Sequence, residues 1–485
     1  MPTIRKTLWG WMLFSSFGVS LAVNGLAFSA GPFLANGIKI GELTPTSVRM
    51  WTRLTAVEKP DMNAPKFERT KDRPGPPAVV MPAGLTIDRM EGAVPGMPSQ
   101  VRVVLTAASG EKQVAADWQT ATKESDCTAQ FQINDLTAGT LYNYCIEARP
   151  DSNSVITAVM HGTFRTAPPK DSTADIVCTT ASDHEWWDRE SNEGHKVYKS
   201  MLKLNPDFFV HSGDYVYYDR PGPYAVNISY ARHKWNRMNG LPNIVDFYSQ
   251  IPSYFQSDDH DTYCDDARPG QRSDKLGDFT FEQGLAVHYE QTPLVPGRPY
   301  RTFRWGKDLQ IWLVDGREFR TPQDMESKVQ PTIWGKEQIE WFKNTVQQSD
   351  ATFKVLFTPS PMVGPDRDNK HDNYADKTPY QAEGRMLREF MAKQGMFSVT
   401  GDRHWQYVSV DSETGLREYG HGPASDAHAQ GWKQEDKRPQ HRFLRVKGGF
   451  LAVYVSRKEG KPSITFVHYD VDGKAVHTDK HYAKN

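Results

Sequence analysis

Hydrophobic and polar residues alternate through much of the first third of the chain. Val48, Met50 and Thr52 interleave with Arg49, Trp51 and Arg53. Val101, Val103 and Leu105 repeat the pattern, as do Phe131 and Ile133, then Tyr142, Tyr144 and Ile146. A period of two belongs to strands with one buried face. Turn residues such as Thr137-Ala138-Gly139 separate the runs. Residues from Ile38 to about Thr166 therefore predict an all-β sandwich of the immunoglobulin or fibronectin type III kind. Residues 58–100, rich in Pro, Gly, Met and charge, read as a long loop inserted in it.

Ala167-Pro168-Pro169 reads as a linker, and the pattern then changes. Ile176-Val177-Cys178 predicts a short buried strand, and Val197, Met201 and Leu204 lie on one face of a helix starting near Ser191. Phe208-Phe209-Val210 is the next strand and Leu309 to Val314 another. Ile339, Phe342 and Val346 mark a helix, followed by a strand from Phe353 to Phe357. Met386, Leu387, Phe390 and Met391 mark a further helix before a strand from Met396 to Val399. Strands joined by helices define an α/β domain. From Phe443 to Tyr482 the pattern returns to β.

The first thirty residues stand apart. Arg5 and Lys6 precede an apolar stretch from Leu8 to Leu26, and Ala27-Phe28-Ser29 offers small residues for cleavage. This predicts a signal peptide over residues 1–29, cut near Ser29, and a secreted or periplasmic protein. The alternative is an uncleaved anchor, since the run nears the spanning length of about 20 residues. No later segment is long and apolar enough to span a bilayer. Export permits disulfides, and Cys127 and Cys145, in neighbouring predicted strands, could pair or stay as buried thiols. The 58 Lys and Arg against 59 Asp and Glu leave a net charge of −1, which argues against a broad basic surface for nucleic acid.

The acids and histidines of the second part fall in four clusters, each just after an apolar run. They are Ser182-Asp183-His184-Glu185, His211-Ser212-Gly213-Asp214-Tyr215-Val216-Tyr217, Asp258-Asp259-His260-Asp261 and Gly401-Asp402-Arg403-His404. Open α/β sheets place ligands at the carboxyl ends of their strands. Hard oxygen donors with some imidazole or phenol suit iron, manganese or calcium. A lone Gly-Asp is usually a turn, and a lone Asp-His on a loop a solvated pair. Four in order after strands are hard to explain that way.

In order, Asp, then Gly-Asp-x-x-Tyr, then Asp-His-Asp, then Gly-Asp-x-His resembles the calcineurin-like metallophosphoesterases, and among them the alkaline phosphatase D group, with purple acid phosphatases as cousins. Residues 37–44 with Met50-Trp51-Thr52-Arg53 look like that group's N-terminal β-domain, and Asp315 to Arg320 is similar to its Asp-x-Arg-x-x-Arg segment. The resemblance implies a four-layer αββα domain over 172–485, preceded by the sandwich over 30–168. It implies metal ligands at Asp183, Asp214 (bridging), Tyr217, Asp259, Asp402 and His404. His260 resembles the group that touches the phosphoryl and protonates the leaving oxygen. Arg317 and Arg320 would hold phosphoryl oxygens or instead form a salt bridge to Asp315 or a neighbouring loop. Asp265 aligns with a further calcium ligand.

Two departures stand out. The group commonly has Ser-Cys where this chain has Ser182-Asp183, and Thr358-Pro359-Ser360-Pro361 lacks the histidine many relatives carry there. Asp426 and His428 lie in a His- and Gly-rich stretch that either lines the cleft or is a solvated loop. Tyr215 and Tyr218 read as packing residues. Trp186-Trp187 could wall the pocket, stack on a sugar or base, or sit in the core. The expected cofactors are two or more metal ions, iron or calcium first, with manganese or zinc as alternatives. The expected reaction is in-line attack by a metal-bound hydroxide on a small or polymeric phosphate ester. A sulfate-ester hydrolase and a non-catalytic, calcium-dependent carbohydrate-binding protein are the alternatives.

Overall fold

Strand Phe208–Ser212 is buried along its whole length. Phe208 and Val210 enter one hydrophobic cluster and Phe209 another, as the two-residue period of a strand requires. Strand Phe353–Thr358 divides likewise: Val355 and Phe357 join the first cluster and Leu356 a third. Strands covered on both faces read as unbroken apolar runs, and that is how these two appear in the sequence. Helices Lys196–Leu202, Ile228–Asn239, Pro242–Gln250 and Phe281–Gln291 fill the second cluster. Helices Gly335–Gln348 and Gln381–Lys393 fill the third. The layers run helices, sheet, sheet, helices. The structure is a computed structural model that describes residues 31–69, 79–110, 113–322, 330–367, 370, 372–374 and 378–483. The predicted signal peptide and its cleavage position lie outside the described residues.

The first sheet has nine strands. At its centre Ile176–Ala181, Phe208–Ser212 and Ser253–Gln256 run parallel. On one side lie the antiparallel strands Gly449–Lys458, Lys461–Asp470 and Ala475–Tyr482. The second sheet has seven strands, and Leu309–Leu313, Phe353–Thr358, Phe397–Thr400 and Arg417–His421 run parallel within it. Gln256 links the two sheets: its amide donates to the carbonyls of Val314 at 2.7 Å and Phe357 at 3.0 Å. The parallel strands of both sheets thus end at one place.

The expected sandwich is not a closed unit. Its strands Ile38–Gly41, Val48–Arg53 and Thr128–Ile133 continue the nine-stranded sheet, starting with a parallel pairing of Gly41 to Ser253. A five-stranded sheet containing Ser99–Ala107, Leu141–Arg149 and Ala158–Arg165 packs on them through the first cluster. Val48–Arg53 is buried on both faces, because helices cover the face that alternation assigns to solvent. Trp51 donates its indole N–H to the Glu290 carbonyl, and the Lys39 ammonium donates to the Gln291 carbonyl. All four cysteines are free, so Cys127 and Cys145 do not pair. Cys127 immediately precedes Thr128–Ile133 of the nine-stranded sheet, whereas Cys145 lies in Leu141–Arg149 of the five-stranded sheet.

Arg53 and Asp126 fasten this region to the helices. Arg53 binds both carboxylate oxygens of Asp126 and also reaches Asn36 Oδ1 and the Val94 carbonyl. Asp126 accepts in turn from the amides of Asn236 and Gln291. Removing one member of a buried pair leaves the other charge uncompensated. Arg53→Ala should therefore lower the free energy of unfolding in urea by about 3–5 kcal/mol. A loss below about 1 kcal/mol, the range of surface pairs, would contradict this role.

Candidate metal centre

Three strand ends carry the same local device. Asp183, Asp214 and Asp402 have left-handed backbones, with φ of 58, 54 and 61°. Aspartate tolerates this region better than most residues because its short carboxylate bonds locally. Glycine precedes two of them for steric reasons. A Cβ on Gly213 would lie 2.4 Å from Asp258 Cβ, and one on Gly401 would lie 2.7 Å from the Ser212 carbonyl. The Gly-Asp turns are thus required by the close approach of separate loops.

One group of donors gathers beyond Ile176–Ala181. Single ligand atoms of Asp183, His404 and His428 lie within 4.8 Å of one another. Asp183 Oδ1 is 3.3 Å from His404 Nε2 and accepts from the Tyr217 hydroxyl at 3.4 Å. That hydroxyl is also 3.0 Å from His428 Nε2. Ser182 donates to the other Asp183 oxygen. Burial opposes the charge on Asp183, but the hydrogen bond and charge of His404 win and hold the carboxyl at about 2. Asp188 Oδ2 lies 2.7 Å from His428 Nδ1. With Nδ1–H donating there, Nε2 keeps its lone pair toward Tyr217 and Asp183.

The other donors are almost all carboxylates. Asp214, Asp259 and His260 form one group of that spacing, and Asp258, Asp259 and Asp402 another. The backbone N–H of His260 lies 3.2 Å from Asp214 Oδ1 and 3.1 Å from Asp259 Oδ1. Burial raises Asp214 well above the ordinary carboxylate range, and Asp259, Asp258 and Asp183 push it further. It feels acids on both sides. Burial likewise raises Asp258 to about 7 in spite of Arg317. Arg317 donates Nε to Asp258 at 2.5 Å and lies 3.6 Å from Asp259 through Nη2. Among the described residues its buried Nη1 has no hydrogen-bond partner, nor has Asp258 Oδ2. His260 Nδ1 is 2.6 Å from Asp219 Oδ1. Burial disfavours the imidazolium, yet Asp219 and Asp259 outweigh it and lift His260 to about 10.

These contacts bring together Asp183, Asp214, Tyr217, Asp259, Asp402, His404, His260, Arg317 and His428. Arg320 goes elsewhere: it donates to the carbonyls of Gly316 and Asp372 and to the Ser360 hydroxyl, so its guanidinium is spent on loops. Asp265 is exposed at the rim, paired with Lys370 at 3.0 Å, though an oxygen of it falls near Asp259 and Asp266. Tyr215 and Tyr218 pack in the helical cluster and Trp186 is buried there, whereas Trp187 is exposed. Asp426 is a solvated neighbour of Lys447, but His428, two residues on, is buried. Sequence reasoning missed Asp188, Asp219, Asp258 and Arg403. Asp258 was visible inside the Asp-Asp-His-Asp run. Arg403, which pairs with Asp402 and Asp366, was visible between two candidate ligands.

Carboxylates raised by burial and then by one another, with an orphaned oxygen among them, are the environment that bound cations neutralise. The donor chemistry fits metal ions: a carboxylate, a phenol and two imidazoles in one group, hard oxygens in the others.

Two mixed sheets packed face to face bring carboxylates and imidazoles together at their shared strand ends. A solved structure of PhoD superposes with a TM-score of 0.69 at 16% identity, covering 94% of this chain and 91% of that one. A purple acid phosphatase from yellow lupin (Lupinus luteus) seeds superposes at 0.63 and 11% identity, covering 92% and 74%. At these identities the likeness is one of fold. In sequence, alkaline phosphatase D of Bacillus subtilis (strain 168) is 24% identical over 197 residues, 33% of this chain. The matched stretch spans 34% of that relative's length. The chain belongs to the PhoD-like phosphatase family, whose pattern matches residues 177–419, with that of its N-terminal domain on 26–168.

Carboxylates that orient a ligating histidine typically contribute about 10–100-fold to metal affinity. Asp188→Asn should weaken metal retention by about that factor in a chelator competition read by elemental analysis. Unchanged retention would remove Asp188 from the account.

Proposed function

We propose that the chain is an exported phosphoric-ester hydrolase working with two or more bound metal ions. The observation that carries this reading is the convergence of Asp183, Asp214, Asp259 and Asp402 from separate loops. In this reading Asp183, Tyr217 and His404, with His428, hold one ion, and their nitrogen and phenol donors suit iron, or manganese or zinc. Asp214 lies between the groups, and Asp259 and Asp402 serve a second ion in a carboxylate set that suits calcium. Ions so held polarise a phosphoryl oxygen and lower the pKa of a water.

The chain's own residues do the rest. Asp219 fixes His260 through Nδ1 and leaves Nε2 to donate. The imidazole keeps its proton at neutral pH, and a cation on Asp259 would bring it down toward a useful general acid. Its role is to protonate the departing alkoxide. Arg317, held by Asp258, keeps Nη1 free for a phosphoryl oxygen, where a preorganised charge stabilises the transition state. Residues 30–168 brace this site, as a β-sandwich that lends one sheet to the domain at 172–485. The substrate is a small-molecule or polymeric phosphate ester. Among the described residues no helix is long and apolar enough to cross a membrane.

Phosphate release from nitrophenyl phosphate and turnover of bis(nitrophenyl) phosphate test the reading. Asp214→Ala should lose both metal and activity. His260→Ala should keep its metal and lose about 10²–10⁴-fold in kcat. Full activity in the Asp214 variant would end the proposal.

A further inference from the structure

Residues Trp186–Asp188 form a single 3₁₀ turn just after Asp183. Such a turn has about three residues per revolution, so its side chains point three ways. Trp186 goes into the helical cluster, 2% exposed. Asp188 goes to His428. Trp187 goes outward and is 44% exposed.

The exposed indole is nevertheless fixed. Its Nε1–H donates to the Pro221 carbonyl at 3.0 Å. The ring lies so close on Gly222 that a Cβ there would fall 2.6 Å from it, and Gly222 has φ of 97°. The loop that holds it is the one that touches the metal centre. Three consecutive residues of that loop make three different contacts. Asp219 reaches His260, the Arg220 guanidinium lies 5.9 Å from the Tyr217 ring centre, and Pro221 holds Trp187. The loop runs on through Val226 to the helix that starts at Ile228, and both of these residues are also exposed.

In the Asp183 group, Asp183 is fully buried, His428 is 4% and His404 19% exposed, and Asp188, which holds His428, is 27% exposed. A rigid, half-exposed indole therefore stands one residue from the rim of the site. A ring stacked on it loses little entropy, because both surfaces are already rigid.

We propose that Trp187 is the platform for the leaving group of ring-bearing phosphate esters such as nucleoside monophosphates. The proposal rests on the phosphatase reading and adds the specificity. Adenosine monophosphate and glycerol phosphate separate the two, because only the first carries a ring to stack. The full-length, metal-replete protein is assayed with both esters, as are Trp187→Ala and Trp187→Phe. The ratio of kcat/KM for the nucleotide over glycerol phosphate should fall about tenfold in Trp187→Ala, in line with aromatic–base stacking elsewhere. Trp187→Phe, which keeps a ring, should retain most of the ratio. An unchanged ratio in Trp187→Ala overturns the proposal and leaves the phosphatase reading intact, as does a wild type that cleaves glycerol phosphate and not the nucleotide. A wild type that releases phosphate from neither removes both.

Discussion

Like charges crowded away from water are the constraint around which this molecule is arranged. Asp214, Asp258, Asp259 and Asp402 share one buried region, and Asp183 stands close enough to push Asp214 upward. Arg317, Arg403 and the His260 imidazolium offset part of that charge. Burial first, and then the remainder, raises the carboxyls of Asp214, Asp258 and Asp402. No loop would adopt this arrangement alone. It persists because the strands that deliver the loops are locked in two sheets, with Gln256 tying one sheet end to the other.

The N-terminal region belongs to the same mechanical unit. Its strands extend the nine-stranded sheet, and its Lys39 and Asp126, the latter held by Arg53, bond to the helices that cover that sheet. Parallel strands that end in a polar site need rigid neighbours, because a shift of an ångström would separate the donors. The sheet on one side and the helices on the other supply that rigidity.

Much of this was legible in the chain. The α/β half showed as apolar runs alternating with helical periods, since strands buried on both faces carry no competing pattern. The acids followed those runs, and their left-handed turns were signalled by Gly213-Asp214 and Gly401-Asp402. What escaped depended on contacts distant in sequence. Val48–Arg53 alternates like a half-exposed strand, and nothing local says that helices from residues 228 to 291 cover its polar face. Arg317 and Arg320 sit in one motif, yet one meets Asp258 and the other meets carbonyls. His428 lies in a stretch that reads equally as cleft lining or as a solvated loop, and only the distant Asp188 and Tyr217 bracket it. Trp186 and Trp187 are equivalent as letters, and only the 3₁₀ turn sends one inward and one outward.

Thermal unfolding of the native protein before and after exhaustive chelation tests the central claim most directly, with metal content measured on the same samples. If bound cations balance the buried acids, the purified protein carries metal and its melting temperature drops by several degrees when the metal is removed. Protein that carries no metal, and melts at the same temperature with chelator as without, would contradict the account.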